Sequence, residues 1–282
     1  YSSRKIRELR ECGHEGTARA YASSLRSMQR YLGKKDFPFI KLSSRIISDY
    51  QGKLLASGIC DNTIGFYLHN IKALFRKGCR EMGLELPCPF RDISIKTEKT
   101  LKRSLDPVVI KTLSAIELEK DSPLSLARDI FMFSFYTRGM SFVDIALLKK
   151  RHVFPGEICY RRHKTDQLMR VGINKEISRI LERYKNVPGE YIFPLFPAER
   201  DPYAGYRSAY HRIRYSLGKI SRVIGLEFPL RLHAARNSWA TIAKVNGASV
   251  HVIGECLGHT SEKTTRIYLK ELDHSALDAV NN

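Results

Sequence analysis

The stretch LHAARNSWATIAKVNGASVHVIGECLGHTSEKTTRIYLK, Leu232–Lys270, decides how this chain is read. Its apolar spacing and punctuation predict three helices in succession: His233 to Val245, Ser249 to Leu257, and Ser261 to Glu271. His233 and Arg236 lie three apart, so on a helix they share a face. Gly258 closes a helix and leaves His259 just beyond it, facing a cleft. Tyr268 follows on the next helix. Singly, each of these is weak: a histidine and an arginine meet on many helix surfaces, and a lone tyrosine on an amphipathic helix is usually core or rim. In this order and spacing they suit one task, which is holding a phosphodiester and attacking it with a phenol. Imidazoles and a guanidinium can bind non-bridging oxygens, and the tyrosine can be the nucleophile. A phenol with an ordinary pKa of about 10 attacks poorly at neutral pH, so it needs an adjacent base or concentrated positive charge.

The chain as a whole supplies that charge. Among 282 residues, 48 Lys+Arg face 29 Asp+Glu, a net +19. An excess of this size points to a polyanionic partner, here nucleic acid. The length suits about two domains, and a hydrophobic fraction of 43% can fill two cores. No apolar run is long enough to span a bilayer and no amphipathic anchor is visible, so no membrane partner is expected. No signal peptide is visible either. The six cysteines, Cys12, Cys60, Cys79, Cys88, Cys159 and Cys256, form no Cys-x-x-Cys pair. That argues against a zinc site or a disulfide scaffold and for free thiols in a reducing compartment. No carboxylate cluster suggests a metal, and no cofactor is expected.

Outward from the quoted stretch, residues 1–92 read as a helical bundle. Tyr21, Leu25, Met28 and Leu32 repeat at helical spacing within Thr17–Leu32, and Ile47, Tyr50 and Leu54 do so within Ser44–Ala56. Asp61 or Asn62 is expected to cap a third helix whose buried stripe is Ile64, Leu68, Ile71 and Phe75. Lys72, Arg76 and Arg80, four apart on another side of that helix, are candidates for phosphate contact. Residues 93–105 read as a basic linker without a core pattern. A second domain, 106–282, starts at Asp106-Pro107, a cap followed by proline in the first turn. An apolar helix is predicted over Pro123–Tyr136, the chain turns at Gly139, and Ser141 with Asp144 resembles a capping box. The period then shifts to two strands, Ile158–Lys164 and Leu168–Ile173, around Thr165-Asp166-Gln167. On one strand Arg162 and Lys164 would project from the same face. Helices are expected again over Asn174–Asn186 and Tyr203–Ile224, with loops around Pro188, Pro194, Pro197 and Pro202. Trp239 reads as a packing anchor and Asp144 as a cap or brace.

The runs LHAARNSWATIA (232–243), ECLGHTSEKTTRIYLK (255–270) and CYRRHKTDQLMRVGI (159–173) resemble the tyrosine recombinase, or phage-integrase, family. The likeness is strong in the last third, moderate in the central part, and one of character in the N-terminal bundle. It implies a mainly α fold with a small β-hairpin or sheet: a helical, SAM-like core-binding bundle plus a mostly helical catalytic domain, closing around double-stranded DNA. It implies that Tyr268 attacks a backbone phosphate, leaving a 3′-phosphotyrosyl bond and a free 5′-hydroxyl. His233, Arg236 and His259 would bind that phosphate, and Lys164 would protonate the departing 5′ oxygen. Strand exchange would run through a Holliday junction in a homotetramer on paired sites, with accessory DNA-bending proteins as further partners. The expected location is the bacterial cytoplasm, on the nucleoid. The tail beyond Tyr268, with Leu272, Leu277 and Val280, would dock on a neighbouring subunit or fold back on its own. An arm-binding domain ahead of Tyr1 is compatible with the resemblance.

One departure stands out. The family places an arginine after a Thr-Gly-Leu/Met turn, followed by a residue pair and an acidic residue. Here the run is Thr137-Arg138-Gly139-Met140-Ser141-Phe142-Val143-Asp144, which puts Ser141 in the arginine's place. Arg138, before the turn, or Arg162, on the hairpin, would have to supply the missing guanidinium. This pattern looks like that of the integrases and invertases of Bacteroidetes. Two rivals remain: a DNA-binding protein on this scaffold that has lost activity, and a type IB topoisomerase-like enzyme. Integration, excision and inversion are not separated by the sequence, nor is the target DNA.

Overall fold

The computed structural model describes residues 1–96, 98, 103–196, 202–259 and 261–270. The expected tail contacts of Leu272, Leu277 and Val280, and part of the basic segment, lie outside the described residues. The chain divides into two compact units, Tyr1–Thr100 and Leu101–Asn282.

The first unit is built from α1 (Ser2–Glu11), α2 (Glu15–Leu32), α3 (Ser44–Ala56) and α4 (Asp61–Glu81). The predicted stripe of α4 is its core face: Ile64, Leu68, Ile71 and Phe75 are all buried, together with Ile47, Tyr50 and Met28. The start of α4 differs from expectation. Cys60 is the N-cap and Asp61 is the first helical residue, where its charge still favours the helix N-terminus. Asn62 is engaged elsewhere: its amide donates to the Glu98 carbonyl at 2.9 Å and accepts from Glu98 N at 3.0 Å. The stretch read as a linker without core pattern is anchored here. Phe90 is buried, and Ile93 and Ile95 pack against the same core. Arg76 and Arg80 are exposed on α4 and Lys72 is half-buried.

In the second unit Asp106 caps α5 (Pro107–Ala115), accepting from Val108 N at 2.7 Å. Ser122 caps α6 (Pro123–Tyr136), whose Ile130, Phe131 and Phe133 are fully enclosed. The only charged side chain α6 buries fully, Asp129, is compensated: Arg128 Nε donates at 2.9 Å, the Tyr184 hydroxyl at 2.8 Å, and Arg183 also donates. A buried carboxylate without such donors would be prohibitively costly. Ser141 caps α7 (Phe142–Ala146). An antiparallel sheet follows, β1 (Val153–Phe154), β2 (Glu157–Arg161) and β3 (Leu168–Gly172), in that order, with Tyr160 opposite Met169. The remaining elements are α8 (Lys175–Arg183), α9 (Pro202–Val223), α10 (Leu232–Val245), α11 (Val250–Cys256) and α12 (Glu262–Lys270). Pro202 opens α9 rather than lying in a loop.

The hairpin is shorter than its alternation predicts. Strand β2 stops at Arg161, not Lys164. Arg162 N still donates to the Gln167 carbonyl at 2.9 Å, but Asp166 N turns back to the Arg162 carbonyl at 2.8 Å, and Asp166 takes a φ of 54°. Lys164 therefore sits in the turn, exposed, and does not share a strand face with Arg162. No described helix is long and apolar enough to cross a membrane.

Candidate active site

The site is assembled by the last three helices against the turn that follows α6. Helix α10 is enclosed along one side by Ala234, Ala235, Ser238 and Ala240, small residues that let neighbouring segments come close. Arg236, 7% exposed, lies in that enclosed face. Its Nη1 donates to the Gly139 carbonyl at 2.8 Å, and its Nη2 donates to the Leu257 carbonyl. Two of its five N–H groups are thus spent on backbone oxygens, which fixes the guanidinium plane. The close approach demands a glycine at 139. A Cβ there would lie 2.5 Å from Arg236 Cγ and 2.9 Å from its Cα, and Gly139 has a φ of +78°. Burial, and secondarily the Arg162 cation, pull Arg236 down to about 10, still fully charged at neutral pH.

His259 follows α11 at the Leu-Gly-His turn. Its Nε2 is 3.4 Å from Arg236 Nη2, and its Nδ1 is 3.0 Å from Thr265 Oγ1. Thr265 is fully buried on α12 and braces the imidazole from behind. Tyr268, one turn further along α12, packs edge-on to both imidazoles, 5.5 Å between ring centroids for His259 and 6.4 Å for His233. The tyrosine is only 7% exposed and belongs to a small core with Ala240, Ile253, Leu257 and Leu269, flanked by Trp239. Burial pushes its hydroxyl up to about 12, against the opposing pull of Arg236. That hydroxyl donates to Asn237 Oδ1.

The remaining candidates are placed as follows. Arg162, half-buried, donates to the Gly258 carbonyl next to His259. It is close enough to Arg236 for the two cations to repel. Arg138 has a left-handed backbone, φ 60°, and its guanidinium reaches Cys256 Sγ at 3.7 Å. Ser141 is occupied as a cap: its hydroxyl donates to Asp144 Oδ2 at 2.6 Å, while Asp144 Oδ1 accepts from His163 N at 2.8 Å. Asp144 so ties the turn after α6 to the root of the hairpin. The structure therefore brings together Tyr268, Arg236, His259, His233 and Arg162. Lys164 is exposed on the hairpin turn, and Lys72, Arg76 and Arg80 belong to the first unit. Among the described residues no group of three His, Cys, Asp or Glu side chains could hold a metal ion. Asn237 and Thr265 are site residues that spacing did not reveal. A polar amide inside a helix face of small apolar residues requires a buried partner, and that was the available signal for Asn237.

Residues 104–274 match the phage integrase family and residues 1–90 match the phage integrase SAM-like domain. The chain belongs to the phage integrase family. As a member it is a tyrosine-class recombinase, an enzyme of site-specific recombination. It is 26% identical over 226 residues to tyrosine recombinase XerC of Shewanella oneidensis, across 77% of this chain and 70% of that protein. It is 23% identical over 262 residues to tyrosine recombinase XerD of Pseudomonas putida, across 90% and 86%. In fold, the recombinase is similar to XerH bound to a palindromic difH substrate, with a TM-score of 0.72 and 18% identity over 100% of this chain and 84% of that one. It is similar also to a lambda integrase fragment bound as a dimer to a core site, with a TM-score of 0.68 and 17% identity over 94% and 93%. The mainly α architecture with one small sheet is that of these recombinases.

Proposed function

We propose that this recombinase cuts and rejoins double-stranded DNA by transesterification at Tyr268. The observation that carries the reading is the meeting of the Tyr268 hydroxyl with a buried, preorganised Arg236 and with His259. As the phenolic proton passes to the neighbouring His259 imidazole, the Tyr268 oxygen forms the new bond to phosphorus and the P–O5′ bond breaks, giving a 3′-phosphotyrosyl ester and, once protonated, a free 5′-hydroxyl. Charge that develops on the non-bridging oxygens is met by Arg236, His233 and His259, fixed cationic and polar donors that need no reorganisation as the reaction proceeds. The phosphotyrosyl ester conserves the bond energy, so rejoining needs no nucleotide cofactor. Lys164 supplies the proton to the 5′ oxygen, which requires the hairpin turn to swing in on the DNA.

Arg162 takes the part of the guanidinium whose place Ser141 fills. Its proximity to Arg236 and its bond to the Gly258 carbonyl beside His259 support that role, whereas Arg138 reaches Cys256 Sγ and is the lesser candidate. Lys72, Arg76 and Arg80 contact the DNA backbone from the first unit, and the net +19 makes binding steeply salt-dependent. Lambda integrase is known as a tetramer on a Holliday junction, in a structure with a TM-score of 0.65 to this chain. We extend that assembly to this protein, with two paired sites, and place the chain with the Bacteroidetes integrases and invertases on its Arg-Gly-Met-x-Phe-Val-Asp run. Bacterial cytoplasm and nucleoid are the corresponding location.

The test is capture of covalent protein–DNA adducts in the native host, followed by denaturation and sequencing, with Tyr268→Phe alongside. Adducts at a few discrete sites, lost in the variant, would establish the nucleophile, and the arrangement of sites would separate inversion from integration. The diversion of Ser141 into a helix cap favours one competing reading, a binding protein without cleavage. DNA occupancy with no adduct in either strain would support it.

A further inference from the structure

Asn237 is 3% exposed and its two polar ends face different partners. Its Nδ2 donates to the Arg103 carbonyl at 3.0 Å, while its Oδ1 accepts from the Tyr268 hydroxyl. The carbonyl partner fixes which end is which, because a carbonyl can only accept. A flipped amide would set its oxygen against the Arg103 oxygen. The arginine next to it in sequence, Arg236, is a pure donor, so the Tyr268 oxygen can only accept from it. The phenolic proton is therefore directed at Asn237. A carboxamide oxygen cannot take up that proton at neutral pH, and it repels the phenolate that proton loss would leave behind. Hydrogen bonding to the neutral form disfavours ionisation.

From this geometry we propose that Asn237 is a positioning residue that locks the resting nucleophile. It holds Tyr268 docked and neutral in its own subunit, with the lock set by the Arg103 carbonyl at the entry to the catalytic unit. The tyrosine must leave Asn237 Oδ1, or the amide must turn over after Arg103 moves, before the phenolate can form. After such a turnover Nδ2 would donate to the phenolate, so the same side chain would stabilise the attacking form. The segment carrying Arg103 thereby controls the nucleophile through one side chain. Leu105 N donates to Ser238 Oγ at 2.7 Å, so this segment is bonded to α10 at two adjacent positions. The catalytic meaning of the lock rests on Tyr268 being the nucleophile; the lock itself does not.

The experiment uses the DNA-free full chain with 13Cζ-labelled tyrosine, its Tyr268 resonance assigned with Tyr268→Phe. The titration of Tyr268 is followed in wild type, Asn237→Leu, Asn237→Ala and Asn237→Asp. Leucine fills the same space without an acceptor and alanine opens it. Both should make Tyr268 about tenfold more acidic, the order of one hydrogen bond removed from the neutral form. Asn237→Asp keeps an acceptor and adds charge, so Tyr268 should titrate at or above the wild-type value. Should one of the apolar variants not fold, the other decides. Tyr268 titrating at or above the wild-type value in a folded leucine or alanine variant would overturn the proposal. Adduct capture on the same proteins separates the two readings. Increased acidity with no adduct in any protein would uphold the lock and remove Tyr268 as nucleophile, whereas unchanged acidity with normal adducts would do the reverse.

Discussion

Gly139→Ala should disable the site without replacing any side chain proposed to meet DNA. Gly139 has a φ of +78°, and an added Cβ would sit 2.5 Å from Arg236 Cγ, 2.8 Å from its Cβ and 2.9 Å from its Cα. Because the obstruction includes the backbone of α10, no rotamer of Arg236 relieves it. The left-handed backbone costs about 1–2 kcal/mol for a residue with a Cβ, and the overpacking adds about 1–3 kcal/mol. The sum of about 2–5 kcal/mol corresponds to a fall in Tm of roughly 4–20 °C. Whatever relaxation occurs moves α10 away from the Gly139 carbonyl, so Arg236 loses its 2.8 Å anchor and its aim. Misplacing one preorganised donor should lower the rate of adduct formation about 10²–10³-fold. The control is Gly156→Ala in the β1–β2 turn: its φ is +84°, but nothing lies within 4 Å of the added Cβ. That variant isolates the backbone cost and should cleave normally. The measurements are thermal melting and single-turnover adduct formation at saturating DNA, below both melting transitions. If Gly139→Ala and Gly156→Ala match in both, the close approach at Gly139 does not place Arg236.

Three further outcomes are expected. Lys164→Ala should slow cleavage of ordinary DNA by at least about 10²-fold but recover on DNA whose scissile 5′ oxygen is replaced by sulfur. A thiolate leaves without a proton, so an equal defect on both substrates would remove Lys164 as the acid. Asp129→Ala should cost about 3–5 kcal/mol in denaturant unfolding, because Arg128, Arg183 and Tyr184 lose a shared buried acceptor. Its adduct rate below the melt should stay at the wild-type level. Alkali should weaken the fold progressively as pH rises above 10. Burial holds Tyr50 and Tyr268 at about 12 and Tyr160 and Tyr184 higher still, chiefly by the same cause. Their folded values exceed the unfolded value of about 10. Their contribution is therefore complete below pH 10 and is lost as pH rises towards 12, about 3 kcal/mol for each of Tyr50 and Tyr268. Denaturant midpoints that stay level from pH 8 to 11 would contradict this.

Helices whose punctuation and period agree were legible residue by residue. Ser43 and Gly58 bracket α3, and Ser122-Pro123 opens α6, so both match their expected bounds. The set of Arg236, His259, His233 and Tyr268 was legible because short helices and tight turns carry it, so sequence order constrains space. Contacts over long sequence distances were not. The hairpin end depends on Arg162 being drawn to Gly258, ninety-six residues away. The start of α4 depends on Asn62 pairing with Glu98. Charge density made residues 93–105 read as a linker without a core pattern, yet apolar residues, Ile93 and Ile95 at one end and Leu105 at the other, are packed. Two or three such residues in a basic run fall below what a periodic pattern can signal.

The resting site holds its parts unequally, and the inequality has a physical basis. Arg236 is expensive to bury, and it is secured by two backbone carbonyls and a required glycine. That cost, incurred on folding, does not recur at the transition state, which is what makes a fixed donor effective. Tyr268 and Lys164 are treated in the opposite way. The phenol is kept neutral against Asn237, and the lysine is left on an exposed turn. In their proposed roles, as nucleophile and acid, these two side chains are useful only when a phosphate and a leaving oxygen are present. In those roles, keeping one neutral and the other on an exposed turn would avoid chemistry on the wrong substrate. If DNA both draws the hairpin turn inward and shifts the segment at Arg103, the two changes complete the site together. A variant that unlocks the tyrosine alone should then still depend on Lys164. In Asn237→Leu the Lys164→Ala defect should persist at full size on ordinary DNA. Loss of that dependence would mean that the two parts are not delivered separately.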